Sequence, residues 1–394
     1  MNRSLPTLPT SLEAPSFETG SMAPPHPAPE TWSRLIAELQ AFGVQWIDPK
    51  GPGLSRAGGA GPSDHKAITL ENQTVMVPIF THAASRSPYS AEVAPTGKTA
   101  ILRRAGTRIA EVTFPKTPRF YALSTTEGVP YWKIARLHAD DVLATTVLQT
   151  CIRYGRRETS CQFCAIGQSL ASKSTLAEKT PEDLAQVAEA AARLDGVKHV
   201  VLTTGTPRSD DRGARVLRDV AQAIKARVPL GIQAQCEPPA DLTWLDRLAA
   251  GGVDSLGMHL EAVTESVRRR IMPGKAEIPI ATYIEAFRHA VGVFGRGQVS
   301  TYILAGLGDT RDAIVTACRE LVALGVYPFV VPFVPIAGTP LEDHPGPSPN
   351  FLNSVLTDVA RLLSAAGMAS DAIKAGCGRC GACSSLRARE ALHA

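Results

Sequence analysis

From residue 143 onward the apolar positions follow two alternating patterns. Short β-branched runs predict strands: ATTVLQ, HVVLTTGT (199–206), LGIQAQCE (230–237), VDSLGMHLE (253–261), QVSTYILAGLG (298–308) and YPFVVPFVPI (327–336). Longer stretches with apolar residues three and four apart predict helices over 181–194, 214–228, 242–252, 278–295, 310–325 and 350–367. Strand followed by helix, six times over, implies a parallel sheet with right-handed crossovers. Six units are two short of a closed eight-unit barrel. The expected fold class is therefore α/β, a partial (β/α)6 TIM-type barrel, with its site at the C-terminal ends of the strands.

The chain before the barrel reads differently. Residues 1–29 are rich in Pro, Ser and Thr without periodicity and predict a disordered arm. Trp32, Leu35, Ile36, Leu39 and Phe42 fall at helical spacing, and Gly43 ends that helix. The glycine-rich 51–62 lacks the Lys-Ser/Thr of a phosphate loop and predicts a flexible connector. TVMVPIF, TAILRR and TRIAEVTF predict a small sheet. The expected organisation is an arm (1–29), a small N-terminal α+β attachment (30–142), the partial barrel (143–367) and a Cys-rich C-terminal tail (368–394).

Composition narrows the function. A net charge of +4 and a pI near 8.6 are too mild for a nucleic-acid partner. No run of eighteen apolar residues predicts a membrane span, and the N-terminus lacks the apolar core of a secretory signal. Of eight cysteines, six fall in two tight clusters, which suits metal binding in a reducing compartment, with the cytoplasm as the expected location. Cys236 and Cys318 stand alone and read as ordinary buried residues.

The first cluster, Cys151, Cys161 and Cys164, has the spacing C-x9-C-x2-C on a loop after the first barrel strand. Three thiolates suit a [4Fe–4S] cluster with one iron open to a ligand, whereas structural zinc wants a fourth ligand nearby. Unrelated buried cysteines fit poorly with the polar residues between them. The second cluster, Cys377, Cys380 and Cys383 at C-x2-C-x2-C, predicts a second metal site, either a further [4Fe–4S] cluster or zinc with a ligand such as His393. Such a tail is expected to fold across the open mouth of the barrel. The strands end repeatedly in polar or glycine-rich groups, as a lined pocket requires. The run Arg268, Arg269 and Arg270 reads as a solvated helix face, or as one arginine gripping a carboxylate.

CQFC, with Phe163 directly before the last cysteine, resembles the end of the radical SAM signature, although the usual first spacing is three residues rather than nine. The strand ends resemble that superfamily in order over roughly 143–345, closest to its biotin synthase and lipoyl synthase side. LTTGT resembles the motif that meets the S-adenosylmethionine (SAM) amino group, which implies roles for Thr203, Thr204 and Gly205. MHLEAVTESV resembles the ribose motif and implies His259 and Glu261, and Glu237 is a further acceptor for ribose hydroxyls. YILAGLGDT resembles the stretch near the adenine and implies Gly306. TCIRYGRRETSCQFCAIGQSL resembles a radical SAM family encoded in nitrilase-containing gene clusters linked to cyanide assimilation.

The resemblance implies a radical SAM enzyme. Its [4Fe–4S] cluster would cleave SAM reductively, and the 5′-deoxyadenosyl radical would abstract hydrogen from a small, nitrogen-containing metabolite. Sulfur insertion or rearrangement are the implied outcomes. A reductant protein such as flavodoxin or ferredoxin is the implied partner. No side chain stands out as an acid or base for the substrate. The reading from a different class is a non-catalytic iron–sulfur electron carrier or metal-binding scaffold, which would have no need of a SAM-shaped pocket.

Overall fold

The computed structural model describes residues 29–51 and 65–393. The predicted arm, apart from its last residue, and nearly all of the predicted connector lie outside the described residues.

The N-terminal unit is a helix, Pro29–Phe42, on a six-stranded sheet. Its strands are β1 (Gln45–Ile47), β2 (His65–Leu70), β3 (Gln73–Pro78), β4 (Tyr89–Val93), β5 (Thr99–Arg104) and β6 (Thr107–Thr113), in the order β1-β4-β5-β6-β2-β3. The apolar stripe of the helix, including Ile36 and Leu39, packs on Ile68, Val75, Tyr89 and Leu102.

The barrel is a seven-stranded sheet in the order β13-β12-β11-β10-β9-β8-β7. Six parallel strands match those predicted: β8 (Val142–Thr146), β9 (His199–Thr203), β10 (Gly231–Gln235), β11 (Ser255–Gly257), β12 (Val299–Ala305) and β13 (Val326–Pro332). Every residue of β8 and β13 is buried, as strands covered by helices on one face and filled on the other must be. The helices start where side-chain oxygens cap them: Thr180, Thr310 and Ser348 accept from the backbone N–H of Asp183, Ala313 and Phe351.

Three departures from the predicted elements matter for the site. The edge strand β7 (Arg136–His138) runs antiparallel to β8, pairing His138 with Val142. Strand β11 is much shorter than its apolar run. The chain leaves the ladder after Gly257, and Glu261 turns into the left-handed region at φ 64°. The arginine run is a solvated face only in part: Arg269 and Arg270 are exposed, whereas Arg268 is completely buried in the helix Glu265–Ile271.

Candidate active site

Strand β8 ends at Thr146, five positions short of Cys151, and the chain then crosses the top of the sheet. The crossing is tight. A Cβ on Gly205 would lie 2.1 Å from the Thr150 carbonyl oxygen, so only glycine lets the end of β9 pass beneath the cysteine loop. The Gly205 N–H donates to Leu148 O at 2.8 Å, and the Ile152 N–H to Thr206 O at 2.9 Å.

The long C-x9-C excursion is gathered by one residue. The Arg153 carbonyl accepts from Thr159 Oγ1 (2.8 Å) and Ser160 Oγ (2.9 Å), pinching the loop shut. Its guanidinium reaches down to Glu237 beyond β10, with Nη1 at 2.7 Å from both carboxylate oxygens. Arg212 Nη1 adds a third contact at 3.3 Å. Glu237 is thus a clamp on the cysteine loop. The far side of the loop docks on the chain after the Glu265–Ile271 helix: Gln162 N–H donates to Ile271 O at 2.8 Å, and a Cβ on Gly274 would strike Thr159 O at 2.5 Å. Cys161 and Cys164 flank the turn that follows, with Cys164 N–H donating to Cys161 O at 3.0 Å. Cys151, Cys161 and Cys164 are close enough to influence one another's charge.

Burial, with Glu261 next in effect, raises the Cys161 thiol well above its usual pKa. Burial likewise pushes Cys164 up to about 11. Without a metal these thiols are neutral, and a bound metal must displace their protons. Phe163 and Cys161 pack against an apolar group that includes Val267, Met272 and Phe333, which keeps water from this side of the loop.

Glycine at 205 yields a direct prediction. Gly205→Ala forces either the strand end or the cysteine loop to move, an overpacking cost of about 1–3 kcal/mol. Reconstituted protein should bind clearly less iron at the first cluster while keeping its far-UV circular dichroism spectrum. Iron analysis checks this.

A cavity of about 420 Å³ lies inside the barrel. Phe163 and Cys164 form its upper end, and Thr146, Thr203, Thr204 and Glu261 line its wall. Glu261 carries the one carboxylate among its lining residues. Lys275 Nζ donates to that carboxylate at 2.8 Å, and backbone bonds from Glu261 N–H to Tyr302 O and from Leu304 N–H to Glu261 O fix its left-handed turn. The charge facing the cavity is therefore already balanced.

His259 lies one layer out. Its Nδ1 accepts from the Tyr302 N–H at 3.2 Å, and its ring stands edge-on to Tyr302 with centroids 4.5 Å apart. The proton of the neutral ring is then on Nε2, which is buried and has no hydrogen-bond partner. Burial, with repulsion from Lys275, lowers this histidine to about 3, so it stays neutral. Gly306, at φ 114°, packs under Pro347 and is not part of the cavity wall.

The tail does not close the mouth as expected. It enters from the opposite end, where the strands begin. Gly376 N–H donates to Nδ1 of His199, the first residue of β9, at 3.1 Å, and Ser255 Oγ, at the start of β11, donates to Ala375 O at 2.8 Å. The tail then rises inside the barrel: Cys377 N–H meets Gln233 Oε1 at 3.1 Å, and Gln235 Nε2 donates to Cys377 Sγ at 3.2 Å. The cysteine loop already crosses the top of the sheet at the end of β9. The space at the bottom, lined by polar Gln233, Gln235 and Ser300, satisfies the backbone of a glycine-rich segment instead. Cys377 and Cys383 form the lower end of the same cavity. The N-terminal unit seals this end, since Met76 N–H and Gln40 Nε2 both donate to Ala382 O, at 2.8 and 3.1 Å.

The cavity thus joins Phe163, Cys164, Thr203, Thr204, Glu261, Cys377 and Cys383 from the predicted set. Gln235, at one of the polar strand ends, also lines it, as do Tyr302 and His138. Two glutamines two apart in an otherwise apolar central strand were a usable signal, because polar side chains there must face the interior. His138 gave none.

Among the described residues, no three His, Cys, Asp or Glu side chains are drawn together as a single metal ion would hold them. Zn–S bonds of about 2.3 Å put tetrahedral thiolates about 3.8 Å apart. A cluster gives each thiolate its own iron and asks for no such convergence. No helix among the described residues is long and apolar enough to cross a membrane.

Residues 157–321 match the family model described as the radical SAM superfamily. A lipoyl synthase of Thermus thermophilus is 33% identical over 175 residues, 42% of this chain and 50% of that protein. A bacteriochlorophyllide c C-7(1)-hydroxylase of Chlorobaculum limnaeum is 30% identical over 135 residues, 34% of this chain and 33% of that one. A probable dual-specificity RNA methyltransferase RlmN of Rhodopirellula baltica is 24% identical over 227 residues, 56% and 60% of the two chains. The chain therefore spans about half, or less than two thirds, of the length of these curated relatives. Among solved structures, methylornithine synthase (PylB) is similar with a TM-score of 0.46 and 17% identity, covering 68% of this chain and 78% of that one.

Proposed function

From a chain that carries a radical SAM superfamily domain over residues 157–321, we propose an enzyme in which Cys151, Cys161 and Cys164 hold a [4Fe–4S] cluster and SAM lies along the upper wall of the barrel cavity. The cluster, once reduced, supplies cleavage of SAM to methionine and a 5′-deoxyadenosyl radical. The chain's own part is to bind, orient and exclude water. Thr203, Thr204 and Gly205 present the end of β9 to the amino group. The orphaned Nε2–H of His259 is a donor awaiting an acceptor. Leaving such a buried group unpaired costs about 1–3 kcal/mol, and a ribose oxygen would recover it only if the cavity wall at Tyr302 opened toward the ring. Glu237 holds the loop through Arg153.

The observation that carries this reading is the single cavity with Cys164 at one end and Cys377 and Cys383 at the other. A substrate between the two would face the radical on one side and the tail site on the other. We assign a second [4Fe–4S] cluster to Cys377, Cys380 and Cys383 ahead of zinc, because three thiolates at this sequence spacing suit a cluster with one ligand from outside the set. With Glu261 already neutralised by Lys275, the cavity favours a small, uncharged or weakly polar substrate. The resemblance of residues 150–170 to the nitrilase-linked family suggests that it contains nitrogen. Sulfur insertion drawing on the tail and rearrangement are the two outcomes that this layout suits. The electron would come from a flavodoxin- or ferredoxin-type donor.

Equilibrium SAM binding to anaerobically reconstituted protein tests the reading. Binding that is lost in Cys164→Ala supports it. A fully loaded cluster that binds no SAM would favour the electron carrier. Cys377→Ala is expected to leave SAM cleavage intact while abolishing product formation, and assay of both products on one sample checks that split.

A further inference from the structure

The cysteine loop has an outward face. Among the described residues the exposed large apolar side chains are Ile47, Leu123, Ile152 and Tyr154. The last two closely follow Cys151. Single apolar residues on a surface are ordinary, but these two are held in place. The Ile152 N–H donates to Thr206 O at 2.9 Å, and the Tyr154 N–H to Cys151 O at 3.0 Å. A Cβ on Gly167 would lie 2.5 Å from Tyr154 Cε1, so the phenol ring rests directly on that glycine. Arg153, between them, turns inward to Glu237, while Ile152 and Tyr154 meet solvent at 40% and 38% exposure. Arg156 and Arg157 continue the face. Both are exposed, and neither pairs with a carboxylate among the described residues. Glu158 is the sole acidic residue between Cys151 and Cys164.

We propose that this face is the docking surface for the electron donor, a small acidic protein carrying a low-potential one-electron centre. The inference rests on the radical SAM reading and adds to it the place where the electron enters. Tyrosine and arginine are the residue types that anchor interfaces. The two arginines attract an acidic carrier from a distance and raise its rate of encounter. A patch of a few side chains suits a weak redox encounter, which buries less than about 1,200 Å². Ile152 and Tyr154 bring the carrier against the backbone that leaves Cys151. One electron passes from the reduced carrier to the oxidised cluster. The carrier is oxidised by one electron, the cluster is reduced by one, and no bond forms or breaks.

The test uses full-length, anaerobically reconstituted protein with two acidic carriers, a flavodoxin and a ferredoxin. Binding of each oxidised carrier is measured by titration calorimetry at low and high salt, without SAM. SAM cleavage is measured on the same preparations, driven by the carrier with its NADPH-dependent reductase, and separately by dithionite, which is small enough to need no docking surface. The variants are Tyr154→Ser, Arg156→Glu/Arg157→Glu and Arg156→Lys/Arg157→Lys. Arg319→Glu is the control, an exposed arginine on the helix Arg311–Leu324 between β12 and β13. The proposal predicts that the glutamate pair weakens binding of at least one carrier by about tenfold or more. The rate driven by that carrier below saturation falls with it, and the dithionite-driven rate is unchanged. Salt weakens wild-type binding, and this dependence is largely lost in the glutamate pair. The lysine pair retains most of the binding, and Tyr154→Ser weakens it without changing its salt dependence. Wild type that binds neither carrier at low salt, unchanged binding in the glutamate pair, or equal loss in Arg319→Glu overturns the assignment. A dithionite-driven rate that falls alongside the carrier-driven one also overturns it, since these residues would then support the cluster itself. A wild-type dimer broken by the glutamate pair gives the face to a second copy of the chain and overturns it too. Carrier binding that depends on this face, with no SAM cleavage under dithionite, contradicts the radical SAM reading and leaves the docking surface standing.

Discussion

Cys161→Ala should remove about four irons from the reconstituted protein and reduce SAM cleavage to background. Cys161 is the natural target because it is set in an apolar group with Phe163, Val267 and Phe333. Its loop is held at both ends, by Arg153 on Glu237 and by the backbone bond from Gln162 to Ile271. The backbone therefore should not shift to bring another ligand into place. The tail cysteines lie at the other end of the cavity, and their irons should remain. Iron and sulfide analysis alongside chromatography of the SAM products measures both halves. Equal loss of iron from both sites would mean that the loop variant unfolds the barrel, and far-UV circular dichroism or melting data would show that separately.

The second large effect is on stability. Arg268→Met is expected to cost at least about 3 kcal/mol, because the fully buried guanidinium donates to three backbone carbonyls. These are Leu260 O at 2.9 Å, Lys275 O at 3.4 Å and Ile278 O at 3.0 Å. Its plane also lies over Tyr283, 5.1 Å from the ring centroid. Each carbonyl stripped of its donor in a dry interior costs about 1–3 kcal/mol, and methionine recovers only packing. The damage should reach function, since Leu260 sits between His259 and Glu261 and its carbonyl anchors that irregular strand end. Denaturant unfolding of wild type, Arg268→Met and Arg268→Lys measures the cost, with lysine recovering part of it through one carbonyl. An unchanged midpoint in the methionine variant would remove Arg268 from the support of this strand.

The arginine also shows where a sequence can mislead. Three consecutive arginines read as a solvated face, yet helical geometry turns one of three neighbours inward, and only the packed structure shows that Arg268 is that one. The parallel strands were legible because each is a β-branched run followed by an amphipathic helix. Strand β7 was not, since Arg136-Leu137-His138 is too short for a pattern and forms only by pairing with β8. The cysteine loop was legible in type but not in path: nothing in C-x9-C tells that Arg153 folds the excursion back on itself. The tail's ligand types were plain, whereas its direction of entry depends on Gln233, Gln235, His199 and Ser255, polar groups that meet at the base of the barrel only once the strands are aligned.

The most direct test of the central claim is anaerobic. The protein is loaded with iron and sulfide, reduced with dithionite, given SAM, and assayed for 5′-deoxyadenosine. The account predicts slow formation of 5′-deoxyadenosine and methionine in equal amounts without added substrate, absent in the Cys161→Ala variant. A fully loaded, reducible cluster that yields no 5′-deoxyadenosine would contradict it.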